Sequence, residues 1–271
     1  PLWLAAFYGL LFFFMLIPNE DKKAMVKQIN PANGGLLVLA GVTFFVWSRV
    51  LSRPDGRLHL TLLDNEGTCL VQTPDARTVL IGGGNSPTHL KQVLGEQLPA
   101  GISNVDWGIV PSPAQDDLNA LLGGLSPDNV GAVLWGIDPE ANQTSRRLYS
   151  QYIELGIPIE KMSAGQVLDL GNGIRLEVLT LEEKGAVLWL VWERFSALLP
   201  AGKVGEAWHR ATAAPSVILL PDDLPLVDFP LTMVNTWEPK VVLLPLHASD
   251  QPLWGEHTLI QELAGSPLLT T

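Results

Sequence analysis

Residues 58–84 read LHLTLLDNEGTCLVQTPDARTVLIGGG, three short apolar runs separated by two turn-forming stretches. The runs Leu58–Leu63, Thr68–Thr73 and Thr78–Ile81 are rich in aliphatic, β-branched and Thr residues, which is typical of strands. The stretches between them, Asn65–Gly67 and Pro74–Arg77, carry the Asn, Gly, Pro and Asp residues that tight turns favour. This segment therefore predicts three strands joined by two hairpin turns.

Helical and extended patterns alternate along the rest of the chain. Strand-rich stretches interleaved with helices in both halves indicate an α/β sandwich. The predicted helices are Thr88–Leu98, Gln115–Leu122, Thr144–Leu155, Val204–Arg210, Phe229–Thr236 and Glu256–Leu263. The predicted strands are Trp107–Val110, Val130–Leu134, Gln166–Leu168, Ile174–Leu179, Ala186–Val191, Phe195–Leu199, Ser216–Leu220 and Lys240–Pro245.

Two apolar runs precede these elements. Pro1–Ile17 reads PLWLAAFYGLLFFFMLI, and Gly34–Leu51 is uncharged apart from Arg49, whose side chain can reach the headgroups. We predict that both are membrane helices, and a buried core helix stays open as an alternative for the second. A signal peptide is disfavoured because Pro1–Ile17 has no basic segment before it and no small-residue cleavage site after it. A chain that opens with Pro inside an apolar run leads us to expect further protein upstream.

The remaining sequence has the composition of a globular domain. We predict two parts, 1–57 with the membrane helices and a short linker, and 58–271 as one domain. The second part holds eleven of the 17 basic residues and 25 of the 28 acidic ones, a formal net charge of −14 with neutral histidines. Such a domain repels phosphate backbones on average.

The order of these segments resembles the ComEC-family DNA-uptake proteins, in which a polytopic competence domain runs into a C-terminal metallo-β-lactamase-like domain. The resemblance covers nearly the whole chain and rests on the order and spacing of several blocks. It implies two transmembrane helices followed by an αββα sandwich of metallo-β-lactamase type. The blocks are PDGRLHLTLLD at 54–64, TCLVQTPDARTVLIGGG at 68–84, DWGIV at 106–110, GIPIEKMSAGQVLDLGNGIRLEVLTL at 156–181 and TWEPKVVLLPLHASDQPLWGEHTLIQEL at 236–263.

The chain departs from that family at the metal-binding positions. The family pattern His-x-His-x-Asp-His is matched by SPAQDD, so that Ser112, Ala114 and Asp117 replace histidines while Asp116 matches the aspartate. Because zinc sites are built mainly from imidazole and thiolate ligands, the departure implies a domain without a transition-metal site. We therefore predict a pseudoenzyme with no catalytic residue and no cofactor. The other matched ligand positions hold Gly82, Gly202, Asp222, Asp223 and Glu256, and the family's opening Asp-Val-Gly-Gln-Gly-Asp element is reduced to DNEG at 64–67.

None of the five histidines stands at a matched ligand position, although His257 lies one residue past the family's closing histidine. We interpret all five as core or surface residues, because isolated histidines are more often structural than metal-ligating. They are His59, His89, His209, His247 and His257.

A second hypothesis concerns carboxylates in the same region. Asp116, Asp117, Asp222, Asp223 and Glu256 could converge and hold Ca²⁺ or Mg²⁺, since these cations prefer oxygen ligands. The simpler alternative is that they are solvated loop acids. The helix dipole would favour the two that lie near the start of a predicted helix.

Other features suggest no chemistry. The run Gly82–Gly84 lacks the Gly-Lys-Ser/Thr ending of a phosphate-binding loop, so we predict a turn. Trp189, Trp192 and Trp208 are expected in the core or at an interface, because base stacking needs a basic groove beside the aromatic rings. Cys69 is expected to be a small core residue. No Gly-x-Ser-x-Gly element of a serine hydrolase occurs.

The resemblance implies that the whole protein carries single-stranded DNA across the cytoplasmic membrane. It also implies that the soluble domain lies on the outer side, next to an upstream polytopic channel segment. Two other functions stay open: a metal-dependent hydrolase or nuclease using the acidic cluster, and a membrane-anchored structural module. The acidic charge of the domain favours a structural module over direct contact with DNA, whereas the membrane junction favours DNA uptake.

Overall fold

A computed structural model describes residues 41, 43, 55–64, 67–98, 104–202, 213–219, 236–244 and 268–270. The chain divides into two units, Pro1–Arg53 and Pro54–Thr271. Within the described residues, no helix is long and apolar enough to cross a bilayer. The predicted membrane helices Pro1–Ile17 and Gly34–Leu51 lie outside those residues, except for Gly41 and Thr43, which are helical.

The first half of the second unit is a six-stranded sheet with helices on one face. Its strands follow the order β1-β2-β3-β4-β5-β6, antiparallel from β1 to β3 and parallel from β3 to β6. The helices connect the parallel strands, and a 3-10 turn at Pro127–Asn129 precedes β5. The strands are β1 (His59–Leu62), β2 (Cys69–Gln72), β3 (Thr78–Ile81), β4 (Val105–Val110), β5 (Val130–Trp135) and β6 (Ile159–Lys161), and the helices are α1 (Pro87–Gln97), α2 (Gln115–Gly124) and α3 (Gln143–Glu154).

Both predicted hairpins are confirmed. Strands β1 and β2 pair in register from Leu62 opposite Cys69, and the Leu63 N–H donates to the Thr68 carbonyl at 2.8 Å. The second turn is closed by the Thr73 N–H, which donates to the Arg77 carbonyl at 2.8 Å. Local turn chemistry therefore decides the antiparallel start of this sheet.

The second half repeats the same plan in a seven-stranded sheet of order β13-β12-β11-β10-β9-β8-β7. The strands β7 to β10 form an antiparallel meander, and β10 to β13 are parallel. The strands are β7 (Val167–Gly171), β8 (Ile174–Glu182), β9 (Gly185–Trp192), β10 (Phe195–Gly202), β11 (Val217–Leu219), β12 (Val241–Leu244) and β13 (Leu268–Thr270).

The two sheets pack face to face, and α1 to α3 cover the outer face of the first. In β2, Cys69 and Val71 contact the second sheet while Leu70 between them packs under the helices, and all three are fully buried. Because side chains alternate along a strand, burial on both faces produces the continuous apolar run seen in the sequence. The prediction that Cys69 is a core residue is confirmed.

At β9 and β10 the second sheet is also buried on both faces, whereas β7 and β8 alternate between buried and more exposed residues. Leu188 and Leu199 lie in the core between the sheets, whereas Val187 and Leu198, which precede them and point the opposite way, are just as inaccessible. The described residues thus form helix, sheet and sheet layers of a mixed α/β sandwich. The predicted helices Val204–Arg210, Phe229–Thr236 and Glu256–Leu263 lie outside the described residues, apart from Thr236, which is helical.

Two strands are absent from the sequence prediction. The edge strand β6 has the sequence IEK, in which two of three residues are charged and exposed, so it shows no apolar alternation. The last strand, β13, is a short LLT segment beside β12. Both depend on pairing with a neighbouring strand, which a local pattern does not contain.

Candidate functional site

The loops that leave β3 and β4 at their carboxyl ends lie side by side. Residues 82–84 follow β3, and residues 111–114 lead from β4 into α2. The Gly82 N–H donates to the Ile109 carbonyl at 3.0 Å, which holds the first loop against the end of β4. Ligand sites of parallel sheets form outside the carboxyl ends of the strands, so this cleft is the candidate site.

Asp117, in the first turn of α2, makes the principal contact across the cleft. Its Oδ1 accepts the N–H of Gly83 at 3.1 Å and the N–H of Gly84 at 2.8 Å. Burial raises the pKa of Asp117 and the nearby Asp64 and Asp116 add to this, whereas the two N–H bonds act in the opposite direction. For Asp117 the simpler alternative of a solvated loop acid is therefore wrong, because tertiary structure brings two backbone amides to its carboxylate.

Asp64, at the end of β1, is a second carboxylate at the same loop. It accepts the Thr68 N–H at 3.0 Å and the Thr68 hydroxyl at 2.9 Å. A Cβ placed on Gly84 would lie 1.8 Å from Asp64 Oδ2, so this carboxylate lies directly against the glycine loop. Asp64 was not among the predicted site residues, and its only sequence signal is its match to the first aspartate of the reduced DNEG element.

The glycine run is required by this geometry. Gly82 and Gly84 have φ values of 77° and 80°, in the left-handed region that favours glycine. A Cβ on Gly83 would lie 2.1 Å from the Asp117 carbonyl oxygen and 2.7 Å from Leu121 Cγ. Consecutive amides in such a loop form an anion-binding concavity, and here the anion is the chain's own carboxylate. The run forms the loop that connects β3 to α1.

Ser112 and Gly202 close the other side of the cleft. Ser112 is 3% exposed, and its Oγ accepts the Ala114 N–H at 3.1 Å. Gly202, at the end of β10, has a φ of 75°, and a Cβ there would lie 2.5 Å from the Lys184 carbonyl oxygen and 2.7 Å from Ser112 Cβ. Position 202, which the resemblance matches to a ligand carboxylate, therefore has no room for a side chain unless the backbone moves.

The predicted acidic cluster is described only in part. Asp116 is exposed on α2, next to the inward-facing Asp117. Asp222, Asp223 and Glu256 lie outside the described residues, so their convergence stays a prediction. Among the residues that are described, no three His, Cys, Asp or Glu side chains are arranged to hold a metal ion.

Two of the five histidines are described, and each has an ordinary partner. His59 Nε2 lies 2.9 Å from Asp55 Oδ2 on the surface. His89 Nε2 lies 3.2 Å from the Leu63 carbonyl oxygen, and so helps to attach α1 to the end of β1. His209, His247 and His257 lie outside the described residues.

The described tryptophans lie where the sequence predicted. Trp189 is 9% exposed in the second sheet, and Trp192 packs against the core between the sheets. Trp208 lies outside the described residues. Trp189 is thus buried in the domain, and the partly buried Trp192 packs against the same core.

Comparison with known proteins identifies the fold. No protein-family model and no curated protein sequence matches the chain. The metallo-β-lactamase fold protein YhfI from Bacillus subtilis superposes with a TM-score of 0.55, 12% identity, and coverage of 79% of this chain and 97% of that one. A proposed metal-dependent hydrolase from Parabacteroides distasonis superposes with a TM-score of 0.51, 13% identity, and coverage of 79% and 92%.

The two-sheet topology, the helical layer on the first sheet and these likenesses define a domain of metallo-β-lactamase fold. At these identities the likeness extends to the fold alone. The donors at the described ligand positions do not fit a zinc centre: Ser112 Oγ and Asp117 Oδ1 already accept backbone N–H groups, and Asp116 is exposed. Gly82, Ala114 and Gly202 supply no side-chain donor.

Proposed function

We propose that this chain is the C-terminal part of a ComEC-like inner-membrane protein for DNA uptake. Its metallo-β-lactamase-fold domain is a non-catalytic scaffold on the outer side of the cytoplasmic membrane. The partners are the membrane, an upstream polytopic channel segment and, for the whole protein, single-stranded DNA. The order of apolar runs, linker and domain blocks supports the DNA-uptake assignment.

The observation that carries the non-catalytic assignment is the use of Asp117. Asp117 Oδ1 accepts the N–H groups of two glycines, which leaves only Oδ2 of this carboxylate to ligate a cation, and one carboxylate oxygen does not make a zinc site. Ser112 Oγ is committed to Ala114, and Gly202 is in close contact with Ser112 and Lys184. The described side of the cleft is therefore filled by contacts within the protein.

Charge supports a scaffold that does not grip the strand itself. Residues 58–271 carry 25 acidic and eleven basic side chains. Binding to single-stranded nucleic acid combines a basic groove with exposed aromatic rings, and Trp189 is buried. The upstream segment, and not this domain, would then bind the DNA.

Metal content and hydrolysis test the non-catalytic assignment. We expect the purified 271-residue chain, in detergent, to retain less than about 0.1 equivalent of zinc or manganese after gel filtration. We also expect no cleavage of single-stranded DNA above the buffer rate with Zn²⁺, Mn²⁺, Mg²⁺ or Ca²⁺ added. Retention of about one ion per chain would contradict the loss of the metal site, and metal-dependent cleavage abolished by Asp116→Asn would establish the hydrolase alternative.

Two further observations test the DNA-uptake assignment. The gene sequence upstream of Pro1 should encode a series of apolar helices, because the proposal needs a channel. Accessibility of an engineered cysteine at exposed Asp116 to a membrane-impermeant maleimide in intact spheroplasts should place the domain outside. A hydrophilic upstream sequence and a protected cysteine would favour a membrane-anchored module of another role.

A further inference from the structure

The loop Gly82–Gly84 and the carboxylate of Asp117 carry one inference beyond the proposed non-catalytic role, on which it rests. We infer that they form an internal anion site that joins the β3–α1 loop to α2 and so keeps this edge of the domain assembled without a metal ion. The anion comes from the chain itself, 34 and 33 residues after the two amides that bind it.

The geometry of the loop supports this assignment. Two left-handed residues, Gly82 and Gly84, flank Gly83, so the N–H groups of Gly83 and Gly84 both point toward α2. Gly83 also lies so close to the Asp117 carbonyl oxygen that no other residue fits between loop and helix. Each residue of the run therefore has a role in receiving one carboxylate.

The second carboxylate shows why the site is closed to external anions. Asp64 lies against Gly84 and is held by two hydrogen bonds from Thr68. A phosphate or sulfate approaching the loop would meet the carboxyl groups of both Asp64 and Asp117. The carboxyl groups of Asp117 and Asp64 thus keep an external anion away from the loop amides.

The helix α2 gives a reason for the contact. Its N-cap residue, Ala114, makes no side-chain capping bond, so α2 lacks the usual device that fixes a helix start. The contact from Asp117 to the glycine loop fixes the first turn from outside the helix. Leu118 and Leu121, which follow on the same helix, are buried in the core under the first sheet.

Amide hydrogen exchange of the full 271-residue chain in detergent tests the inference directly. In Asp117→Ala, the amides of Gly83 and Gly84 should exchange about 5- to 150-fold faster than in the wild type, because each loses its acceptor. Asp117→Asn keeps an acceptor oxygen and should fall between the wild type and the Ala variant. The matched control is Asp116→Ala, an exposed neighbour on the same helix, which should leave this exchange within about twofold.

Three results would overturn the inference. Equal exchange in Asp117→Ala and Asp116→Ala would show that Asp117 does not protect the loop. Protection that increases with added inorganic phosphate would show a loop open to external anions, and protection that increases with ZnCl₂ would show that a metal stabilises this edge. The first two outcomes leave the proposed non-catalytic function intact, whereas zinc-dependent cleavage of DNA would defeat the proposed function itself.

Discussion

Replacement of Gly83 by Ala is the sharpest perturbation of the cleft. The new Cβ would lie 2.1 Å from the Asp117 carbonyl oxygen, whereas ordinary contact begins at 3.4 Å, so loop and helix must separate by about 1.3 Å. The backbone fixes the positions of both the new Cβ and the carbonyl oxygen, so rotation of a side chain cannot relieve the clash. The displacement would lengthen the 2.8 Å hydrogen bond from Gly84 beyond bonding distance.

The magnitude follows from these losses. Two hydrogen bonds to a carboxylate contribute about 1.5–3 kcal/mol each, and overpacking costs a further 1–3 kcal/mol, with partial relaxation reducing the total. We expect Gly83→Ala to lower the free energy of unfolding by about 4 kcal/mol and the Tm by about 8–16 °C. The backbone φ of Gly83 is outside the left-handed region, so the effect is due to contact and not to torsional strain.

Gly95→Ala is the matched control, because Gly95 lies within α1 and a Cβ there has no atom within 4 Å. The same glycine-to-alanine change in an open helical position should stabilise by about 0.5–1 kcal/mol. Urea and thermal unfolding of both variants, followed by circular dichroism, measures the difference. A Gly83→Ala variant within about 1 kcal/mol of the wild type would refute the close approach of loop and helix.

Three other predictions address the closed cleft, its electrostatics and the membrane segments. Gly202→Asp should lower the Tm more than Gly173→Asp, and the Gly202→Asp variant should bind no zinc. Both glycines have φ near 75°, but only at Gly202 would the new Cβ have atoms within 3 Å. Equal Tm values of the two variants by calorimetry would contradict this. Burial raises the folded-state pKa of Asp117, so the folded state binds a proton more readily than the unfolded state. The free energy of unfolding of the wild type, relative to that of Asp117→Asn, should therefore increase as the pH falls from 7 toward 4. A difference that decreases in acid would show the opposite pKa shift. The full chain should need detergent to stay monodisperse in gel filtration, whereas residues 58–271 should not, because the apolar runs precede a strongly charged domain; a full chain that is monomeric in plain buffer would exclude membrane helices.

Local sequence determined the elements of the sandwich that depend on neighbouring residues. The turn-forming residues between the first three apolar runs predicted two hairpins, and the antiparallel pairing of β1, β2 and β3 confirms them. The apolar runs of β8 to β10 and the periodic faces of α1 to α3 were long enough to be predicted near their observed bounds. The apolar run Thr68–Thr73 predicted a strand, and the structure shows why the run is continuous: Cys69, Leu70 and Val71 are buried on both faces of the sheet.

Tertiary structure alone decided how the cleft is filled. The sequence predicted that Gly82–Gly84 is a turn, but it contained no sign that the amides of this turn would bind a carboxylate more than 30 residues away. Asp116 and Asp117 are adjacent and chemically identical, yet a helix turns by about 100° per residue, so one points at the glycine loop and the other at solvent. The strand β6 likewise exists because β5 lies beside it. These contacts join residues distant in sequence, and their energies depend on the assembled sheets and helices.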